Sequence, residues 1–211
     1  GIKPREHVGI WATNLPEWII LQYAAARVGV VLVTINPAYR PFELKYTIEQ
    51  SDLVALFLTD RFKSSNYYAT FEEVCPEIAA AKNGLLRSKS FPKLRAAIAL
   101  KANAPAGYLN WEAMVAAGKT IADAELTNIA ATLKATDAIN IQYTSGTTGF
   151  PKAATLSHRN ILMNAWYVTG CQNITENDRM CVPVPFYHCF GCVMGSLGAI
   201  SRGAALVVPA E

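Results

Sequence analysis

The sequence predicts an α/β fold in which alternating strands and helices form largely parallel sheet. Three observations predict it. Short, nearly continuous apolar runs of strand length recur along the chain, segments of helical length separate them, and Asn, Pro or Gly stands at many of the junctions. No fixed-period repeat and no low-complexity tract interrupts this alternation.

The elements follow in order. Residues 7–12 (HVGIWA) read as a buried strand. Asn14 is placed to cap the next helix, with Pro16 in its first turn, and Gly29 stops that helix after about Arg27. The β-branched run 30–35 (VVLVTI) predicts a second strand, ended by Asn36-Pro37. Pro41 opens a short helix through Gln50, and 53–58 (LVALFL) predicts another buried strand. A longer helical segment is expected over 63–82, then a polar stretch punctuated by Gly and Pro, then a strand over 95–100. Residues 102–138 mix loop with short helices. Residues 139–143 (INIQY) alternate apolar and polar, as a half-buried strand does. Ser157 is placed to cap a helix to about Thr169, with Ile161, Ala165 and Val168 on one face. A strand over 180–185, a helix over 189–202 and a strand over 204–209 complete the chain.

Composition narrows the function classes. Of 211 residues, 52% are hydrophobic and only 17% charged, so much of the chain is expected to be buried, some of it against other protein; a homodimer is one such partner. The net charge of +3, with no Lys/Arg cluster, argues against a nucleic-acid partner. Residues 180–201 contain no Asp, Glu, Lys or Arg, yet Pro183, Pro185 and His188 interrupt them, so no transmembrane segment is expected. Five cysteines without scaffold spacing, and no signal pattern at the start, point to a reducing compartment, the cytoplasm.

The densest cluster of polar chemistry is YTSGTTGFPK, residues 143–152. Gly146 and Gly149 let backbone N–H groups converge on an anion without Cβ obstruction. Thr144, Ser145, Thr147 and Thr148 add hydroxyls, and Lys152 adds a point charge. A solvated glycine-rich turn is the competing reading; the preceding strand and the closing lysine favour a polyphosphate loop. It is not a Walker A loop, because Pro151 precedes the lysine and Ala153 follows it. The AATL stretch before Ser157 looks extended, so the loop is expected to join two strands.

The second cluster is PFYHCFG, residues 185–191. His188 is either a core histidine satisfied by a backbone carbonyl or a site residue. Gly191, Gly195 and Gly198 share one face of the predicted helix, through tight packing or to let an apolar group approach the backbone closely. Cys189 and Cys192 form a CxxC, for which packing outweighs a redox or zinc role because no further ligands stand at matching spacing. No G-x-S-x-G elbow occurs, and Ser157-His158 read as a helix start.

YTSGTTGFPKAATLSHRNI resembles the phosphate-binding signature of the adenylate-forming superfamily, with Ala153 where that signature usually has glycine. VGVVLVTINPAYRPFELKYTIEQSD and VPVPFYHCFGCVMGSLGAISRGAALVV are similar to stretches of medium- and long-chain fatty-acyl-CoA synthetases. The resemblance implies that residues 1–211 are part of the large N-terminal (AMP-binding) domain of such an enzyme, with the mobile C-terminal domain absent. It implies an ATP-dependent acid–thiol ligase that activates a fatty acid and passes it to coenzyme A. By resemblance, Thr144, Ser145, Gly146, Thr147, Thr148, Gly149 and Lys152 hold the ATP phosphates, Thr144 contacts Mg²⁺, and His188 is the candidate catalytic residue beside the acyl-adenylate. The alternative is a non-catalytic nucleotide- or acyl-binding module, and a CxxC redox protein is a weaker third. The chain by itself is expected to be inactive, because the family's later motifs, including a ribose-binding aspartate and a C-terminal lysine, are not found in it.

Overall fold

A computed structural model describes residues 1–82, 84–144 and 151–209. Its core is a seven-stranded sheet built around β1 (His7–Trp11), β2 (Val31–Thr34) and β3 (Leu53–Leu58). α1 (Pro16–Arg27) carries the chain from β1 to β2 on one side, and α2 (Pro41–Gln50) carries it back across β1 to β3 on the other. β6 (Ala96–Ala99) and β7 (Leu109–Asn110) extend the sheet beyond β3, while β8 (Ala138–Thr144) and β9 (Lys152–Ser157) extend it beyond β2. Within this sheet every pairing is parallel except that of β8 with β9. The architecture is therefore mixed α/β with a mostly parallel central sheet, as the apolar runs predict.

Both faces of the sheet are covered, which explains why its central strands are apolar throughout rather than alternating. Val8, Ile10 and Phe57 pack with Trp18, Leu21 and Ala25 of α1, and with Ile161 and Ala165 of α6 (His158–Cys171). Trp11, Val33 and Leu56 face the other way, against Leu44 and Ile48 of α2 and Phe71 of α3 (Tyr67–Val74). Trp11 and Tyr67 meet edge to face at 4.4 Å, a geometry aromatic quadrupoles favour.

The turn chemistry follows the sequence in most places. Gly29 takes φ 69° after α1, a conformation a side chain would resist. Ser157 accepts from the Asn160 N–H, while the Asn160 side chain accepts from the Ser157 N–H, a reciprocal cap at the start of α6.

Four expectations change. The helix expected over 63–82 is a small hairpin, β4 (Arg61–Phe62) with β5 (Ser65–Asn66), then α3 and a 3₁₀ turn Pro76–Ala80. Asn66 caps α3 through Ala69 N–H, and Pro76 prevents the helix from continuing. The strand expected over 180–185 is β10 (Arg179–Cys181), parallel to β11 (Ala205–Val207); Pro183 and Pro185 have no N–H for the ladder. The helix expected over 189–202 begins as a π-helix, Phe190–Leu197, before α7 (Gly198–Ser201). Asn14 does not cap α1: the N-cap is Leu15, without a side-chain bond, and the Asn14 amide is engaged elsewhere. Between β7 and β8 lie α4 (Trp111–Gly118) and α5 (Asp123–Ala131), the short helices expected there.

Candidate functional site

In a doubly wound sheet the carboxyl ends of parallel strands form a ligand crevice where the strand order reverses. Here the reversal falls at β1, and the loops leaving β1 and β2 part above it. Thr13 and Asn14 follow β1, and Asn36, Pro37 and Ala38 follow β2. With Pro183, Pro185 and Tyr187 they line an open cleft of about 410 Å³, and Arg40 and Lys63 line it too.

The phosphate-loop candidates stand at the same end of the sheet. β8 runs parallel to β2 and ends at Thr144, and β9 begins at Lys152 and runs back. Thr144 and Lys152 are therefore cross-strand partners, and the Thr144 hydroxyl donates to the Lys152 carbonyl at 3.4 Å. Both residues are exposed. Tyr46 of α2 donates to the Pro151 carbonyl at 3.4 Å, and the Tyr143 and Ser51 hydroxyls bond at 2.6 Å, so α2 braces the hairpin from one side. Ser145, Gly146, Thr147, Thr148 and Gly149 lie outside the described residues. The expectation that the loop joins two strands rather than feeding a helix is met.

His188 is exposed, not a core histidine bonded to a distant carbonyl. Its Nδ1 accepts from the Phe190 N–H at 3.2 Å. An Nδ1 that accepts puts the proton of the neutral ring on Nε2, so the ring offers an N–H donor at Nε2. Asn14 spans the preceding residues: its Nδ2 donates to the Val184 carbonyl at 2.9 Å, and its Oδ1 accepts from the Phe186 N–H at 2.8 Å. Thr34, the last residue of β2, is buried and donates to the Tyr187 carbonyl at 2.8 Å. Thr34 also pairs in register with Gln142, two residues before Thr144. The turn that carries His188 and the base of the phosphate loop are thus fastened to adjacent strands at one sheet edge.

A buried polar network secures the π-helix beneath. The Gln22 amide and the Ser196 hydroxyl both donate to the Cys192 carbonyl, at 3.3 and 2.9 Å, and the Gln142 amide donates to Cys192 Sγ at 3.2 Å. Wide π turns leave carbonyls open to such side-chain donors. Burial pushes the Cys192 thiol up to about 12. Among the described residues no group of three or more His, Cys, Asp or Glu could hold a metal ion, and all five cysteines are free. Cys192 is buried in the core cluster and Cys189 packs against it, the placement the packing reading expects.

The glycine stripe is explained by packing. A Cβ on Gly191 would strike the Pro185 carbonyl, one on Gly195 would come within 2.6 Å of Val182, and one on Gly198 within 2.7 Å of Thr169. Ser157 and His158 serve the start of α6, and burial lowers the His158 pKa, with Asp137 acting in the opposite sense.

Asn14, Thr34, Gln22 and Gln142 are the residues that sequence reasoning missed. Thr34 and Gln142 stand at or near the carboxyl ends of otherwise apolar strands and Asn14 just beyond one, which is a usable signal; Gln22 lies within α1 and carries none.

A family model described as AMP-binding enzyme matches residues 1–211. YngI, a protein of Bacillus subtilis (strain 168) that carries an acyl-CoA synthetase name, is 43% identical over 207 residues, 98% of this chain and 38% of its own. The mitochondrial medium-chain acyl-CoA ligase ACSF2 of Danio rerio is 38% identical over 212 residues, 99% of this chain and 35% of its own. The crystal structure of the anthranilate CoA ligase AuaEII in complex with anthranoyl-AMP covers all of this chain with a TM-score of 0.82 at 20% identity, over 36% of its own length, and shows the shared fold. The chain thus spans little more than a third of the length of these relatives. A match along every residue, with relatives that are acyl-CoA ligases by name, means that the chain belongs to the AMP-binding enzyme family.

Proposed function

We propose that this chain forms part of the N-terminal domain of a ligase that joins a fatty acid to coenzyme A at the expense of ATP. A carboxylate oxygen attacks the α-phosphorus, and pyrophosphate leaves with the electrons of the broken P–O bond. The coenzyme A thiolate then attacks the acyl carbonyl, and AMP leaves. The observation that carries the reading is the fastening of Thr144, Lys152 and the His188 turn to one carboxyl edge of the sheet. Lys152 and the 145–149 donors offset phosphate charge, and the Nε2–H of His188 donates to the carboxylate or adenylate. Such a step depends mainly on positioning and charge neutralisation. Arg40 and Lys63 at the cleft suit anionic substrates.

The exposed Thr144 hydroxyl is a hard oxygen donor and fits Mg²⁺ beside the phosphates. The ion would neutralise charge on the leaving pyrophosphate. The compartment we propose is the cytoplasm, and a homodimer is the proposed assembly; the mitochondrial ACSF2 relatives make organelle import the competing location.

The test is Gly149→Val in the complete ligase. A branched side chain in the phosphate loop should abolish most acid-dependent pyrophosphate release, while thioester formation from supplied acyl-adenylate is nearly unchanged. Equal loss in both half-reactions would point to misfolding and remove the phosphate assignment. Binding of ATP by the unaltered complete protein without acid-dependent pyrophosphate release would favour the non-catalytic module.

A further inference from the structure

We propose that Asn14 and Thr34 are positioning residues that set the direction of the His188 ring; the inference rests on the ligase reading above. Among the described residues, the bonds of His188 are all short-range. Its N–H donates to the Pro185 carbonyl at 3.3 Å, its Nδ1 accepts from Phe190, and the Cys189 thiol lies 3.8 Å from that nitrogen. These bonds fix the ring relative to its own turn and leave the placement of the turn on the sheet to other groups.

Asn14 and Thr34 supply that placement. Three backbone groups in the four residues before His188 are held from elsewhere: Val184 C=O and Phe186 N–H by the Asn14 amide, and Tyr187 C=O by the Thr34 hydroxyl. The Asn14 side chain donates and accepts with its two ends, as a neighbouring strand would, and so fixes the stretch in register as well as in distance. The Pro183 and Pro185 positions cannot join a sheet ladder, so side chains take over the work of strand pairing here. Phe186 is buried between these ties, its ring 5.6 Å from Trp18 of α1, which stops the turn from rotating. The Nε2–H donor therefore faces where β1 and β2 direct it.

The test is a double-mutant cycle in the complete ligase. The variants are Asn14→Ala, Thr34→Val and Thr34→Ser, each made with His188 and with His188→Ala, with acid-dependent pyrophosphate release as readout. Asn14→Ala and Thr34→Val should each lower kcat roughly 10- to 100-fold, the scale of an ångström-level misplacement, with KM for ATP changed less than about threefold. Thr34→Ser keeps the hydroxyl and should restore most of the rate. In the His188→Ala background the same substitutions should cost little more, because their effect passes through the ring. Equal losses in both backgrounds, or full activity of His188→Ala, would overturn the inference while leaving the ligase reading intact. An unaltered enzyme with no acid-dependent pyrophosphate release would overturn both. Melting temperatures and circular dichroism identify any variant that fails to fold; for such a variant the gentler Asn14→Asp, which keeps the acceptor and loses the donor, takes its place in the cycle with the same expected dependence on His188.

Discussion

Cys192 shows how one residue type divides by environment. A thiol reacts as thiolate, and burial pushes Cys192 to about 12 and Cys75 to about 11, whereas Cys171 and Cys181 are exposed. At pH 8 iodoacetamide should label Cys171 and Cys181 within minutes, with Cys75 and Cys192 protected until denaturant is added. Peptide mass spectrometry reads the order, and early labelling of Cys192 would return the CxxC to the list of reactive sites. Asn14 marks the limit of reading single residues. Its position before a helical segment matches the cap signal, yet its partners at Val184 and Phe186 are some 170 residues away, beyond any local pattern. Ser157 makes the opposite case: its cap bond is to Asn160, three residues on, and was legible for that reason.

Elements follow the same division. The buried strands were legible because parallel sheet covered on both faces demands unbroken apolar runs. The β4–β5 hairpin was not, since two-residue strands carry no periodicity. The π character of Phe190–Leu197 was hidden too: the Cys192 carbonyl within it is bonded by Gln22, 170 residues away in sequence, a contact no local pattern shows. The glycines of that element allow a direct test of packing against substrate room. Gly191→Ala places a methyl group against the Pro185 backbone, which cannot move aside as a flexible side chain would. It should destabilise the fold by roughly 1–3 kcal/mol, the usual cost of overpacking, seen as a lower urea midpoint. An unchanged midpoint with altered acyl selectivity in the complete ligase would instead favour the substrate-room reading.

At the scale of the whole molecule, the described residues of the candidate site are a set of parts gathered on one sheet edge rather than an enclosed pocket. Thr144, Lys152 and His188 are all exposed, as is a row on α6 that includes Leu162, Trp166 and Tyr167. Positioning of reactants contributes roughly 7–11 kcal/mol to such reactions, and these parts do not by themselves hold adenine, ribose and carboxylate in line. The 211-residue chain alone should therefore make no acyl-CoA from ATP, Mg²⁺, coenzyme A and fatty acids of several lengths, assayed by mass spectrometry beside the complete ligase. Turnover near that of the complete enzyme would show that the exposed edge is already a full active site.

The place of β8 in the sheet has a consequence for the chain's birth on the ribosome. β8 pairs with β2 yet begins about a hundred residues after β2 ends. At synthesis rates of roughly 5–20 residues per second, the open edge of β2 waits for on the order of 5–20 s before its partner is made. For that interval the nascent polypeptide displays an apolar strand edge able to pair with another chain, and the arrival of β8 both covers that edge and brings Thr144 to the carboxyl end of the sheet.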